Sequence, residues 1–357
     1  MLEKIPVHST TYAESILKCM DYAMATNENT ILMGQGIGDF KGIFGTTTGL
    51  AEKYGTSRVI ESPIAEEMMT GFCLGAALNG IYPIMTHIRA DFSLVTMNQI
   101  VNLYAKYRYM FGGQFKPAGL IRLIIGRSWG QGAQHAQSLQ SLFSHIPGIR
   151  VIMPYSANSI QENYMYEIDR ADRLVISFEH RNLYELTFNV NEISGSPGIP
   201  FDSKIERNGS KLTIAATSIM VLEALRAAQF LEDVYGISTE VIDITSPSNP
   251  DKQMIFQSVR KTGHLLIADT SWVPYGVCAE ITRIICEIDP SVLKAPVRSV
   301  GMQHTPCPTG KTLEDMFYPS VKTLVEECLL SLGLDAHLGL PSGESYRDYY
   351  RKFRGPF

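Results

Sequence analysis

The sequence predicts an α/β protein of two domains, each built on a largely parallel sheet. Three observations carry that expectation. Short apolar runs alternate with amphipathic stretches along most of the chain, the pattern of strand–helix–strand units. The chain has 357 residues, 45% hydrophobic and 19% charged, which is more than a single core usually holds. The pattern breaks once, at NVNEISGSPGIPFDSKIERNGS, a stretch rich in Gly, Pro, Ser and Asn and too long for an ordinary loop inside a domain. The expected division is therefore a first domain over 1–188, a linker over 189–210, a second domain over 211–332 and a tail over 333–357.

In chain order, a helix is expected from about Thr11 to Ala25, followed by a buried strand, TILM, at Thr30–Met33. Ser62-Pro63 reads as a helix start, with serine as cap and proline at the first helical position. The helix after it carries Gly71, Gly75, Ala76 and Ala77, small residues that permit close packing. Tyr82–Thr86 is the next strand, and an amphipathic helix should run from about Phe92 to Lys106. Leu120–Ile125, Arg150–Met153 and Leu174–Phe178 complete the strands of the first domain. Beyond the linker, Leu212–Ala216, Thr239–Ile244 and Leu265–Ala268 are strands, with a helix over Met220–Tyr235 whose Val221, Ala224, Ala228 and Leu231 share one side.

Composition excludes several functions. A net charge of −5 and a pI of about 5.9 give no basic surface for nucleic acid or anionic membrane. The six cysteines are scattered, without the spacing of a zinc site or a redox pair, and read as reduced thiols. The N-terminus has no signal-peptide core and no apolar run is long enough to span a bilayer, so a cytoplasmic protein is expected.

Read residue by residue, the candidate sites have ordinary explanations. Gly34-Gln35-Gly36-Ile37-Gly38 follows a strand, but Asp39 stands where a dinucleotide fingerprint needs its third glycine. Gly126-Arg127-Ser128-Trp129-Gly130-Gln131-Gly132 lacks the Gly-Lys-Ser/Thr of a phosphate loop, and reads as a flexible loop delivering His135 near a helix N-terminus. A histidine there is more often a structural hydrogen-bonding residue than a catalytic one. Glu66 and Glu67 suit the first turns of a helix through its dipole alone, and Phe92 would ordinarily be core. On these grounds the sequence reaches a two-domain α/β enzyme, without a metal site.

The order of the fragments reaches further. GIFGTTTGLAEKYGTSRVIESPIAEEMMTGFCLGAALNGIYPI, DFSLVTMNQIVNLYAKYRYMFGG, GQGAQHAQSLQSLFSHIPGIRVIMP, KLTIAATSIMVLEALRAAQFLEDVYGISTEVIDI and PTGKTLEDMFYP occur in sequence over about residues 5–330. In this order they resemble the β subunits of pyruvate and branched-chain 2-oxo-acid dehydrogenase E1 components. The resemblance implies a pyrimidine-type thiamine-diphosphate-binding domain followed by a transketolase C-terminal-type domain. It places Glu66 on the glutamate that bonds N1′ of the aminopyrimidine, favouring the tautomer that takes the proton from thiazolium C2. Phe92 falls on the aromatic that stacks on the pyrimidine, Ile64 on its apolar neighbour, and His135 on the histidine near the thiazolium.

The Gly-Asp-Gly segment that holds the diphosphate and its Mg2+ in such enzymes occurs nowhere in this chain. The resemblance therefore implies an α-type E1-like partner carrying those ligands, in an α2β2 heterotetramer, with lipoyl-E2 as the default acceptor of the acyl unit from a 2-oxo acid. Some positions depart from the family. Gln35 replaces a common acid, Thr86-His87 a common Glu-Phe, and Asn98 a common Asp; Arg170 and Asp172 disturb a segment that often binds a monovalent cation. These departures keep a second reading open, a transketolase-like or carboligase subunit that passes the unit to an aldehyde or ketone. The tail Tyr346–Phe357 carries four basic residues among five aromatics, which suggests docking on a dimer mate or on the α chain.

Overall fold

Strands buried on both faces of a parallel sheet read as continuous apolar runs, and the runs of this sequence form two such sheets. The computed structural model describes residues 7–127, 130–191 and 198–335. They divide into two units. One runs up to Ile125 and resumes from Leu142 to Pro200; the other takes Gly126–Ser141 and the chain from Phe201 onward.

The first unit contains β1 (Val7–Thr11), β2 (Thr30–Gly34), β3 (Val59–Glu61), β4 (Tyr82–His87), β5 (Gly119–Ile125), β6 (Ile149–Ile152), β7 (Leu174–His180) and β8 (Thr187–Asn191). β1 and β8 pair antiparallel; the other six form a parallel sheet in the order β3-β2-β4-β5-β7-β6. The helix Tyr12–Thr26 opens on a capping box, in which Thr11 accepts from the Glu14 amide and the Glu14 side chain answers the Thr11 amide. The helix Glu66–Leu78 lies on β4, where Thr70 Oγ1 reaches Met85 Sδ at 3.6 Å and Cys73 Sγ reaches Met33 Sδ at 3.8 Å.

Two helix boundaries differ from the sequence expectation. Ser62-Pro63 does not open the helix, because the Ser62 N–H donates to Gly34 O at 3.1 Å and so prolongs the pairing of β3 with β2. The Ala65 N–H then turns back to Pro63 O at 2.8 Å, and the helix starts at Glu66. The amphipathic run expected from Phe92 begins at Ala90. It passes through a 3-10 stretch (Ala90–Thr96), a π stretch (Asn98–Tyr104) and an α turn (Ala105–Met110).

The second unit contains β9 (Lys204–Arg207), β10 (Leu212–Ala216), β11 (Thr239–Asp243), β12 (Leu265–Trp272) and β13 (Arg298–Met302), in the order β13-β12-β10-β11-β9. Only β9 is antiparallel among these pairings. The stretch 189–210 expected as a linker thus holds the end of β8 and the whole of β9; KIER is too short and polar to announce itself as an edge strand. One face of the sheet is covered by Ile255, Phe256 and Val259 of the helix Lys252–Thr262 and by Ile281, Ile284 and Ile285 of the helix Val277–Ile288.

None of the six cysteines forms a disulfide. No described helix is long and apolar enough to cross a membrane. Ser128 and Trp129 of the glycine-rich loop, and the tail Tyr346–Phe357 with its expected docking role, lie outside the described residues.

Candidate active site

Glu66 is the first residue of its helix, directly after the cap residue Ala65. The side chain is half-buried. Gln35, just beyond β2, donates from Nε2 to Glu66 Oε1 at 3.4 Å, a long contact that leaves the carboxylate with acceptor capacity. Glu66 lines a cavity of ≈ 610 Å3 with Ala65, Glu67, Met68, Gly71, Val95 and Gln99. Glu67 is turned elsewhere: it is exposed and accepts from Gln99 Nε2 at 2.8 Å. The two neighbouring acids therefore differ in surroundings, as their 100° separation on a helix requires.

Ile64 is 86% exposed in the turn before the helix, and Met68, Phe72 and Val95 are also exposed. Apolar side chains placed this way are not held there by the core. Phe92 is half-buried in the 3-10 stretch of the same unit. At the end of β4, His87 is 2% exposed, and neither ring nitrogen meets a hydrogen-bond partner among the described residues. Burial pushes its imidazole down to about 4, so it is neutral at pH 7.

Beside these residues lies a buried ion pair. Arg122 on β5 meets Glu179 on β7 through Nε–Oε1 at 2.6 Å and through a second nitrogen to Oε2 at 2.9 Å. Arg122 also donates to Thr46 Oγ1 at 3.0 Å and to Thr86 Oγ1 at 3.4 Å, while the Tyr164 and Tyr184 hydroxyls donate to Glu179. Both charges are fully buried and bidentate, with their remaining hydrogen-bonding capacity largely used.

His135 belongs to the second unit, half-buried on Gly126–Ser141. It does not stand at a helix N-terminus: the helix begins five residues on, at Gln140. Ala136 next to it packs with Met302, Cys307, Phe317 and Tyr318. Among the described residues no group of three or more His, Cys, Asp or Glu is placed to hold a metal ion.

Comparison with known proteins accounts for both units. Residues 8–187 match the transketolase pyrimidine binding domain, and residues 202–324 the transketolase C-terminal domain. The chain is 33% identical to the mitochondrial pyruvate dehydrogenase E1 component subunit beta of Saccharomyces cerevisiae, over 89% of this chain and 88% of that one. It is 35% identical to the subunit beta of Rickettsia felis, over 88% and 96%. The chain belongs to the E1 β-subunit family. A solved structure described as a split gene transketolase, inactive beta4 tetramer, shares the fold at a TM-score of 0.71 and 22% identity, covering 90% of this chain and 98% of that one.

Within this E1 β-type chain, the structure brings Glu66 and Gln35 together across 31 residues of sequence. The sequence reading singled out Gln35 as a departure from the family, without a contact to attach it to. The Arg122–Glu179 pair was missed. An arginine inside an apolar strand, LIRLII, was the signal that could have found it, since such a charge needs a buried partner.

Proposed function

We propose that this chain is the β-type half of a thiamine-diphosphate-dependent enzyme that decarboxylates a 2-oxo acid and transfers the acyl unit, active with an α-type partner in an α2β2 assembly. The observation that carries the reading is the Glu66 carboxylate, half-buried at a helix start and lining a cavity, with one long amide contact. Those features fit an acceptor for the aminopyrimidine N1′. Bound there, thiamine diphosphate would supply a thiazolium carbon nucleophile and an electron sink for decarboxylation.

In this reading Glu66 holds the proton at N1′, Phe92 offers its ring to the pyrimidine face, and Ile64 covers its edge. His135 donates or accepts a proton at the bound substrate unit. The diphosphate and Mg2+ fall to the partner chain, because this sequence has no Gly-Asp-Gly. A lipoyl group on an E2 protein is the default acceptor. Lipoamide-dependent NAD reduction by the reconstituted complex supports it, and carboligation of an aldehyde or ketone in its place supports the transketolase-like reading.

Glu66→Gln tests the core of the proposal. The amide cannot provide the same charge-assisted bond, so hydrogen–deuterium exchange at C2 in the reconstituted enzyme should slow by orders of magnitude, with assembly retained. Exchange at the wild-type rate removes Glu66 from its role.

A further inference from the structure

Gly126–Ser141 lies between β5 and β6 in sequence, yet it is built into the second unit. The reason is a set of contacts on both sides of His135. Upstream, Arg127 donates to Pro319 O at 2.7 Å and pairs with Glu223 at 3.5 Å, and the Gly130 N–H donates to Glu314 at 3.2 Å. Gly132 has φ +73°, and a Cβ there would come within 2.5 Å of Thr309 Cγ2, so only glycine fits this approach.

Downstream, the contacts converge on the end of β12, where its register with β13 shifts between Ala268 and Trp272. Ser271 Oγ donates to the Ser138 carbonyl at 2.7 Å, and the hydroxyls of Ser138 and Thr270 meet at 3.0 Å. Ser138 Oγ also donates to Gln140 Oε1 at 2.7 Å, and Gln140 Nε2 donates to Asp269 Oδ1 at 2.8 Å. Asp269 is fully buried, and the same oxygen accepts from Thr217 Oγ1 at 2.5 Å and from the Thr270 amide at 2.8 Å. A buried carboxylate with three donors on one oxygen is a rigid anchor, because moving any donor leaves a buried polar group unpaired.

We infer that Asp269 is a positioning residue for His135: through Gln140, and with Thr270 and Ser271 on Ser138, it fixes the segment that presents the imidazole. The residues that match the transketolase C-terminal domain, 202–324, thereby have a part in the chemistry without supplying a reacting group themselves. The inference rests on the proposed role of His135.

The test uses D269N, S271A and H135A, with the doubles D269N/H135A and S271A/H135A, each assembled with an α-type partner. In the cofactor-free assembly, backbone hydrogen exchange over 130–141 should accelerate in D269N while that of Glu66–Leu78 stays unchanged. In the complete enzyme kcat should fall roughly tenfold with KM and C2 exchange unaltered, since a small misplacement of a reacting group has that scale of effect. In the H135A background the same substitutions should cost nothing further. If D269N does not assemble, S271A removes a single hydroxyl and carries the same comparison with a smaller loss. A wild-type rate in H135A removes the role of His135, and the inference with it. A slowed H135A whose loss adds in full to that of D269N or S271A overturns the positioning alone.

Discussion

Gln35 puts an amide donor 3.4 Å from the Glu66 carboxylate, at a position where the family resemblance expects an acid. A second carboxylate so close would disfavour ionisation of the pair, so Gln35→Glu should move the acid limb of C2 exchange to higher pH, by about one unit. An unmoved limb would show that the contact carries no charge coupling. His87, where the resemblance expects Phe, gives a stability prediction. Its folded-state value of about 4 lies below the ordinary 6.5, so the unfolded chain takes up the proton first as pH falls. Stability is therefore lost on the way down, by roughly 2 kcal/mol between pH 7 and pH 5. His87→Phe should flatten that slope and also remove two buried nitrogens without partners. Denaturant melts at the two pH values check both effects; an equal slope in the variant would sink the argument. These residues show where sequence reasoning stopped. Glu66, Phe92 and His135 have ordinary explanations taken singly, as a helix-dipole acid, a core aromatic and a structural hydrogen-bonding residue, and only the order of the fragments singled them out, together with Ile64.

At the level of elements, the central strands were legible because parallel strands buried on both faces are written as unbroken apolar runs, as in TILM and LIRLII. β3, with three residues, and β13, RSVGM, offer no such run and were invisible. The helix start at Glu66 was misplaced by a few residues because the Ser62 amide is taken by a neighbouring strand, a tertiary contact that outranks a local cap signal. The Arg122–Glu179 pair joins β5 to β7 through side chains that are wholly buried. Arg122→Met should cost roughly 3–5 kcal/mol, because it leaves a buried carboxylate without its cation. Arg122→Met with Glu179→Gln should recover a large part of that loss, since no unpaired charge then remains. Chemical denaturation of the two variants tests this, and equal losses would place the cost in packing rather than in charge.

For the whole molecule, the missing Gly-Asp-Gly motif leads to a stoichiometric prediction. The purified chain, given thiamine diphosphate and Mg2+, should not turn over a 2-oxo acid; addition of an α-type chain should raise activity linearly to an equimolar end point. Turnover by the single chain would falsify the split site. The division into two units also explains what a linear reading could not deliver. A linker and two successive domains are what composition suggests, whereas Gly126–Ser141 belongs by contact to residues far downstream, and no local pattern encodes such membership.

That segment also sets a timetable for biosynthesis. Gln140 leaves the ribosome 129 residues ahead of Asp269, the carboxylate that receives its amide. At about 5–20 residues per second, the gap is on the order of ten seconds. Through that interval the strands on either side of the segment are available to pair, while the segment itself has no place to settle. The nascent first unit must therefore carry an unanchored excursion, with Ser138 and Gln140 open to water or to a chaperone, until the end of β12 has been made.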